Sequence, residues 1–317
     1  MKIMTINDFS KEILNLKSAV IFCHARPDAD TLSCAFALYY AFERMGKRAE
    51  IVCSTEVSDE LQSRFPFKPK RNVPFGYDAF ISVDTPSLEQ LGEFSDLFLK
   101  FKNTFCIDHH VSNTRYAKRY YIENKPACTL VLFEIIKRFP IKIDKTIAEL
   151  LMFGVITDTL GLSVKGLDSE LFAKISELIS LGADYGEVFD AFYRNVPKEK
   201  VALIGYSLTR LKYFHDGKIV ISVTTKEDLN KFNAPENYTM GLVDILTRIK
   251  GVDVGVSVLQ SGNKLYRISF RSNKTDVNQV AGVFGGGGHK NASGAVISGY
   301  LEDVIDKLIF NIGNYLV

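Results

Sequence analysis

Aspartate and histidine residues directly follow three short apolar segments of the sequence. Segment 19–23 is followed by His24, Asp28 and Asp30. Segment 79–83 is followed by Asp84, and segment 104–107 by Asp108, His109 and His110. A further aspartate, Asp158, follows an apolar segment whose hydrophobic residues recur at helical spacing. The chain contains only five histidines, and three of them stand beside these aspartates. The pattern predicts that these side chains serve one chemical site.

Carboxylates that converge on one site repel one another and raise their own pKa values unless a cation lies among them. We therefore predict a metal site. Oxygen and imidazole ligands without cysteine suit Mn²⁺, Mg²⁺ or another hard-to-borderline ion better than structural zinc. The ligands suffice for two ions, and two ions about 3.5–4 Å apart can activate water and neutralise a phosphoryl group. Taken singly, Asp84 could cap a following helix and His24 could be an ordinary histidine, but the four motifs together favour metal.

The elements that position these residues follow from periodicity. Short β-branched segments alternate with helical patterns, which is typical of βαβ units and a largely parallel sheet. We predict strands at 19–23, 49–53, 79–83 and 104–107, and helices at 31–45, 129–139 and 169–181. A further helix is predicted to begin near Asp144 and to lead into Thr157-Asp158-Thr159. Ligands of open α/β sheets gather beyond the carboxyl ends of the strands, so the polar residues should meet in one crevice.

The pattern changes after about Asp216. Segments 218–224, 252–260 and 265–271 alternate apolar and polar residues, and residues 261–264 form a hairpin-type turn. A long helix is predicted at 198–213. We therefore expect a mostly parallel α/β domain at 1–195, a helical linker at 196–215 and a smaller α+β domain with an antiparallel core at 216–317, with the active-site cleft between the two domains.

Four consecutive glycines, 285–288, precede His289 in the second half. Glycine lets a backbone approach a ligand closely and direct its N–H groups at an anion, although a tight turn is the alternative. Arg271 stands at the end of a predicted strand, where its guanidinium could bind phosphate oxygens. These residues predict a phosphate-binding or base-binding site in the second domain.

Composition excludes several classes of protein. The 317 residues are enough for two domains, and 39 Lys and Arg against 37 Asp and Glu argue against a surface that coats long duplex nucleic acid. No apolar segment is long enough to span a bilayer and the first residues lack a signal-peptide pattern, so we expect a cytoplasmic protein that binds no membrane. Five cysteines without a C-x-x-C pair predict reduced core thiols.

The motifs resemble those of the DHH phosphoesterase superfamily. The resemblance rests on residues 24–30, Asp84, the Asp108-His109-His110 triplet and Asp158, and residues 271–294 resemble the DHHA1 domain. It covers nearly the whole chain. The two-domain size is similar to that of the NrnA-type nanoRNase and 3′-phosphoadenosine-5′-phosphate phosphatase group.

The resemblance implies two divalent cations, Mn²⁺ before Mg²⁺ or Co²⁺, and a role for each motif residue. One ion would be held by His24, Asp28 and Asp84, and the other by Asp30, Asp84, His109 and Asp158. Asp108 would orient His109 or a water, and His110 would donate a proton or a hydrogen bond near the leaving group. The substrate would be bound by Arg271, Gly286, Gly287, Gly288 and His289.

The implied activity is metal-dependent hydrolysis of very short oligoribonucleotides and of 3′-phosphoadenosine 5′-phosphate. Two alternatives stay open, a phosphodiesterase of linear or cyclic dinucleotide messengers and a nucleotide sensor without hydrolysis; a homodimer is also open. The chain departs from the family pattern at Ser33-Cys34 in place of a Gly-Ser pair, at Cys128 in place of serine, and at Leu160 in place of glycine. These departures remove no metal ligand and bear on the substrate instead.

Overall fold

A computed structural model of the chain describes residues 2–164 and 166–316. The chain divides into two compact units, Met1–Asn195 and Val196–Val317. Each unit has its own six-stranded sheet and its own hydrophobic core. Among the helices of these described residues, none is both long and apolar enough to cross a bilayer.

The first unit alternates strands and helices along the chain. Its elements are β1 Lys2–Ile3, α1 Ile6–Leu14, β2 Ser18–Phe22, α2 Ala29–Arg44, β3 Arg48–Val52, α3 Asp59–Gln62, β4 Ala79–Val83, a 3₁₀ helix Leu88–Phe94, α4 Ser95–Lys100, β5 Thr104–Asp108, β6 Arg119–Ile122, α5 Cys128–Ile136, α6 Lys145–Asp158, α7 Ser169–Ser180 and α8 Tyr185–Tyr193.

The strands of the first unit form one parallel sheet in the order β1-β6-β5-β4-β2-β3. This confirms the parallel sheet predicted from the alternating pattern. Phe22 of β2 pairs with Ser82 of β4, and Val83 of β4 pairs with Ile107 of β5. The three strands that precede the polar motifs are therefore neighbours and end close together at one edge of the sheet.

Local sequence fixes where the helices beside this edge begin. The Asp28 side chain accepts a hydrogen bond from the Thr31 N–H at 2.9 Å and caps α2, and Asp144 caps α6 through the Ile147 N–H at 3.1 Å. Helices α2, α5 and α6 contribute to the core on one face of the sheet, while α4 and the 3₁₀ helix pack on the other. All five cysteines are buried free thiols, as predicted.

The second unit begins with a helix and continues with six strands and further helices. These are α9 Lys198–Leu208, β7 Lys212–Phe214, β8 Ile219–Thr224, α10 Lys226–Lys231, a 3₁₀ helix Glu236–Thr239, α11 Leu242–Leu246, β9 Val254–Gly262, β10 Leu265–Ser272, α12 Val277–Val283, β11 Gly287–His289, β12 Ala292–Ser298 and α13 Leu301–Gly313.

The second sheet has the order β11-β12-β10-β9-β8-β7, and it differs from the predicted antiparallel core in one respect. Strands β8 and β9 pair in parallel, whereas the other pairs are antiparallel. Alternating polarity reports which face a residue occupies but not the direction of the neighbouring strand. The connection between β8 and β9 contains α10 and α11, which gives it the length that a parallel crossover needs.

The helix predicted at 198–213 is shorter than expected. It ends at Leu208, and Lys212–Phe214 forms the edge strand β7, whose residues pair with 219–221 of β8. The last residues of the predicted helix therefore pair in the second sheet, because cross-strand hydrogen bonds to β8 override a local helical pattern.

Candidate metal centre

The ends of β2, β4 and β5 bring the predicted polar residues together. His24 follows β2, Asp84 follows β4, and Asp108 is the last residue of β5. The first turn of α2 adds Asp30, and the last turn of α6 adds Asp158. Strand ends and helix ends that are far apart in sequence thus converge on one site in the first unit.

His24, Asp28 and Asp84 form the first group of this site. The His24 Nε2 atom lies 3.6 Å from Asp28 Oδ2 and 3.9 Å from Asp84 Oδ2. Each of the three residues offers one potential ligand atom, and these atoms lie within 4.8 Å of one another. The arrangement has the chemistry and the size of one coordination site.

Asp30, His109 and Asp158 form the second group, again with potential ligand atoms within 4.8 Å of one another. The His109 Nδ1 atom lies 2.8 Å from the carbonyl oxygen of Lys125. A carbonyl oxygen can only accept, so Nδ1 carries a proton and Nε2 points its lone pair or a second proton at the acids. His109 Nε2 lies 3.7 Å from Asp158 Oδ2, so that either a proton or a cation must separate them.

Asp84 lies between the two groups. Its Oδ2 atom faces His24, and its Oδ1 atom lies 3.4 Å from His109 Nε2. Oδ2 also accepts a 2.6 Å hydrogen bond from the Thr31 hydroxyl, whereas Oδ1 is buried and has no hydrogen-bond partner among the described residues. An ionised oxygen that is buried without a partner is costly, so Oδ1 is the atom that a cation would satisfy.

The backbone of Asp84 is also unusual. Its φ of 50° lies in the left-handed region, which non-glycine residues rarely adopt and which costs of the order of 1–3 kcal/mol. The residue does not cap the next helix: the 3₁₀ helix begins after Ser87. The alternative reading of Asp84 as a helix cap is therefore wrong, and its conformation directs the carboxylate toward the two groups.

Asp30 is held by the beginning of α5. Its two carboxylate oxygens accept hydrogen bonds from the backbone N–H groups of Cys128, at 2.5 Å, and Thr129, at 3.1 Å. Unpaired N–H groups and the positive end of the helix dipole make a helix N-terminus a favourable place for a carboxylate. Because the contact comes from the backbone, the cysteine at position 128 preserves it.

Burial and mutual repulsion change the pKa values of the second group. Burial, assisted by the charge of Asp84, raises the pKa of Asp30 to about 7. Burial and the charges of Asp30 and Asp84 raise the pKa of Asp158 to about 10. Burial alone would lower the pKa of His109, but the Asp84 carboxylate raises it to about 10. Proton binding by these two acids therefore competes with the binding of a cation.

These features fit divalent cations. The donor set contains carboxylate oxygens and imidazole nitrogens, which suit Mn²⁺ or a similar ion. Burial raises the pKa values of Asp30 and Asp158, and the buried Asp84 Oδ1 atom accepts no hydrogen bond from the described residues; both features favour a bound cation. The clustered residues and their chemistry therefore indicate the use of divalent metal.

Asp108 positions the histidine pair. Its Oδ1 atom lies 2.8 Å from His110 Nδ1 and accepts a 2.9 Å bond from the His109 N–H, while Oδ2 accepts a 2.6 Å bond from Asn113. Because the carboxylate accepts, His110 Nδ1 carries a proton and the ring is held in one orientation. Asp108 is fully buried, so it acts through the residues that it holds.

Sequence reasoning missed three residues of this site. Thr31 binds Asp84, Asn113 binds Asp108, and Gly154 of α6 lies against Asp30. Asn113 stands close to the Asp108-His109-His110 triplet, which is the only local signal for it. The contacts of Thr31 and Gly154 join elements that are distant in sequence, so no spacing pattern indicates them.

Arg271 and His289, predicted to bind the substrate, lie on β10 and β11, the two strands that flank β12. Arg271 of β10 is paired with Ala292 of β12, and Ala292 is paired with His289 of β11, so the three residues form one row across the sheet. Arg271 Nε donates to Asp244 Oδ1 at 2.7 Å, which fixes one edge of the guanidinium. Arg271 and His289 therefore face the same side of the sheet.

The glycines beside His289 have a packing role. A Cβ atom at Gly286 would lie 2.1 Å from the Gly294 carbonyl oxygen, and one at Gly288 would lie 2.5 Å from that of Ala292. The Gly288 N–H donates to Asn278 Oδ1 at 2.9 Å. Close approach of β11 to β12 thus explains Gly286 and Gly288, and leaves Gly287 on the exposed row beside Gly294.

Comparison with known proteins supports this description. The chain is 24% identical to the bifunctional oligoribonuclease and PAP phosphatase NrnA of Mycoplasma genitalium, over 98% of this chain and the whole of that protein. It is 29% identical to a probable manganese-dependent inorganic pyrophosphatase of Lactobacillus delbrueckii, over 54% of this chain and 58% of that one. An exopolyphosphatase-related protein from Bacteroides fragilis has the same fold, with a TM-score of 0.89, 24% identity and coverage of 99% and 98% of the two chains.

Two family models match consecutive parts of the chain. The model of the DHH family N-terminal domain matches residues 18–155, and the model of the DHHA1 domain matches residues 216–316. The first match contains all the proposed ligands except Asp158, and the second contains Arg271 and His289. The chain therefore belongs to the DHH family of phosphoesterases, with a DHH domain followed by a DHHA1 domain.

Proposed function

We propose that this protein hydrolyses phosphate esters of very short oligoribonucleotides and of 3′-phosphoadenosine 5′-phosphate with the aid of divalent cations. The observation that carries the proposal is the position of Asp84, whose two oxygens face two separate groups of acid and histidine ligands. The name of the NrnA relative, which aligns with this chain over nearly its full length, supports the choice of substrates.

We propose Mn²⁺ at two positions. His24, Asp28 and Asp84 would hold one ion, and Asp30, Asp84, His109 and Asp158 the other. When bound, such a pair of ions lowers the pKa of a water and neutralises charge on the phosphoryl group. The likeness to a manganese-dependent relative supports the choice of metal.

His110 would donate a proton to the leaving group, and Asp108 would hold His110 in place. With Nδ1 bound to Asp108, His110 can present a proton on Nε2 to the leaving ribose oxygen. The buried Asp108 carboxylate accepts from Nδ1 and so keeps the ring in one orientation. Asp108 is thus a positioning residue in the proposed reaction.

We propose that the two units have different roles. The unit at 1–195 would carry the chemistry, and residues 216–317 would bind the terminal phosphate or nucleotide through Arg271 and His289, beside Gly286, Gly287 and Gly288. The charge distribution supports this assignment: residues 196–317 contain fifteen Lys and Arg and eleven Asp and Glu, whereas the first unit has an excess of acids.

A substrate panel tests the proposed function. Purified protein with Mn²⁺, Mg²⁺ or Co²⁺ should hydrolyse di- to pentaribonucleotides and adenosine 3′,5′-bisphosphate, with release of mononucleotide or phosphate. Turnover restricted to pGpG would instead assign a dinucleotide phosphodiesterase. Binding of these compounds without turnover under any of the three ions would assign a sensor and contradict the proposal.

Removing the Thr31 hydroxyl tests the partner of Asp84. Thr31→Val keeps the shape of the buried side chain but deletes the 2.6 Å bond to Asp84 Oδ2. Partners that orient a metal ligand typically contribute 10–100-fold to metal affinity, so the variant should bind Mn²⁺ about tenfold more weakly in a calorimetric titration. Thr31→Ser, which keeps the hydroxyl, should restore affinity; equal losses in both variants would contradict the role.

Removing the Arg271 guanidinium tests the phosphate site. A charged hydrogen bond contributes about 1.5–3 kcal/mol, so Arg271→Ala should lower kcat/KM for phosphorylated oligonucleotides by about 10- to 100-fold, mainly through KM. An uncharged aryl ester group in an artificial phosphodiester makes no such contact, so its hydrolysis should change little. Equal losses on both substrates would exclude a phosphate-binding role for Arg271.

A further inference from the structure

The exposed face of β10, β12 and β11 continues beyond the row that holds Arg271 and His289. Side chains alternate along a strand, so Arg267, Ser269 and Arg271 of β10 lie on one face. Tyr266, Ile268 and Phe270 lie on the opposite face, where they pack with residues of α12 and α13 in the core of the second unit. The face with the two arginines is therefore the outer face of these strands.

The row next to Arg271 consists of small residues. Ser269 is paired with Gly294 of β12, and Gly294 is paired with Gly287 of β11. Ser269 and Gly287 are exposed. Because no large side chain rises from this row, it forms a flat strip in which a ligand can approach the sheet closely, and the Ser269 hydroxyl can donate to an anion.

The third row begins with another arginine. Arg267 is paired with Val296 of β12, and both side chains are exposed, Arg267 by 63% and Val296 by 57%. Arg267 Nη1 is 3.5 Å from Glu236 Oε2, but an exposed pair of this kind contributes at most about 1 kcal/mol and yields to a phosphate. A guanidinium beside an exposed apolar side chain suits a phosphate that is followed by a ribose or base.

The spacing of the two arginines indicates the length of the ligand. Four residues of a strand span about 13 Å. Both phosphates of a nucleoside bisphosphate are attached to one ribose and cannot reach that far. A stacked single strand advances about 3.4 Å per nucleotide, so the span corresponds to about four nucleotides, or to fewer in an extended strand.

We propose that Arg267, Ser269 and Val296 form a second subsite for the phosphodiester backbone of an oligoribonucleotide whose terminal nucleotide is bound by Arg271 and His289. This inference rests on the proposed function and deepens it, because it assigns oligonucleotides of three to five residues as the substrates that use the whole face. The positive charge of the second unit and the flat strip between the arginines favour a single-stranded polyanion over a folded protein partner.

The experiment compares a pentaribonucleotide with adenosine 3′,5′-bisphosphate. Arg267→Gln should lower the ratio of kcat/KM for the pentanucleotide to that for the bisphosphate by about tenfold, the loss expected for one charged contact. The slope of log kcat/KM against log salt concentration for the pentanucleotide should also decrease by about 0.7. Val296→Glu, which places a negative charge in the same exposed row, should lower the same ratio.

Lys307→Gln is the matched control. Lys307 is an exposed cation of α13, the helix that packs on the opposite face of the sheet, and its loss should leave the ratio within about twofold. An unchanged ratio in Arg267→Gln, or an equal fall in Lys307→Gln, overturns the subsite. If the wild-type protein hydrolyses neither substrate, the proposed function itself fails; if it hydrolyses both while Arg267→Gln keeps the wild-type ratio, only the subsite fails.

Discussion

Asp84→Asn should abolish Mn²⁺-dependent hydrolysis, with a loss of more than about a hundredfold. Substituting residues that merely orient metal ligands costs 10–100-fold, and Asp84 faces both ligand groups directly. An asparagine has one acceptor oxygen and no charge, so it can serve one group at most. Steady-state hydrolysis of a pentaribonucleotide across a range of Mn²⁺ concentrations measures the loss.

The same substitution should separate metal binding from folding. A ligand at a hundred times its Kd adds about 2.7 kcal/mol to the free energy of unfolding, so Mn²⁺ should raise the Tm of the wild-type protein. Asp84→Asn should lose most of this rise. Without metal its Tm should change little, because the amide can accept from Thr31 and donate to Nε2 of neutral His109, which replaces the interaction of the Asp84 carboxylate with the protonated ring.

Asp78→Asn provides the control at the other end of β4. The Asp78 carboxylate accepts hydrogen bonds from the N–H groups of Lys17 and Ser18, and an asparagine oxygen can accept them as well. This variant should keep Mn²⁺-dependent hydrolysis and the rise in Tm. If Asp84→Asn also keeps both, Asp84 does not bridge the two ligand groups.

The parts of this site that depend on one segment at a time could be predicted from sequence. Each apolar strand leads directly into its polar residues, and parallel strands must end at the same edge, so the positions of His24, Asp84 and Asp108 follow from chain order and strand direction. Asp144 is likewise a local signal, since its side chain caps the helix three residues onward.

The parts that join distant segments could not be predicted. Thr31 looks like an ordinary residue of the first turn of α2, and only the folded chain places its hydroxyl on Asp84. The parallel pairing of β8 and β9 is another case, because a polar–apolar pattern contains no information on strand direction. Such contacts depend on tertiary packing, so no periodic pattern in the sequence predicts them.

Leu160 departs from the family pattern at a position of unusual backbone conformation. Its backbone has a φ of 49°, in the left-handed region that glycine adopts without strain, directly after the helix that ends at Asp158 and its C-cap Thr159. The glycine expected from the family pattern suits this conformation better than leucine. The leucine therefore adds strain near Asp158 but leaves the proposed ligand in place.

Gly154→Ala should weaken metal binding and activity although it adds a single methyl group. Gly154 lies in the middle of α6, where a Cβ atom would come within 2.1 Å of Asp30 Oδ1 and 2.5 Å of the Thr129 side chain. The Asp30 carboxylate cannot move away easily, because both of its oxygens accept hydrogen bonds from the N-terminus of α5. Overpacking of this kind costs about 1–3 kcal/mol of stability, and displacement of a reacting group by about 1 Å costs about a hundredfold in rate.

Gly205→Ala separates this close contact from the general effect of alanine in a helix. Gly205 lies within α9, and no atom lies within 4 Å of the Cβ position there. Alanine favours helix over glycine by about 0.5–1 kcal/mol, so Gly205→Ala should raise the Tm, whereas Gly154→Ala should lower it and reduce Mn²⁺ affinity in a calorimetric titration. Full Mn²⁺ affinity in Gly154→Ala would show that Asp30 tolerates displacement and is not a ligand, since the added methyl group and a correctly placed carboxylate cannot occupy the same space.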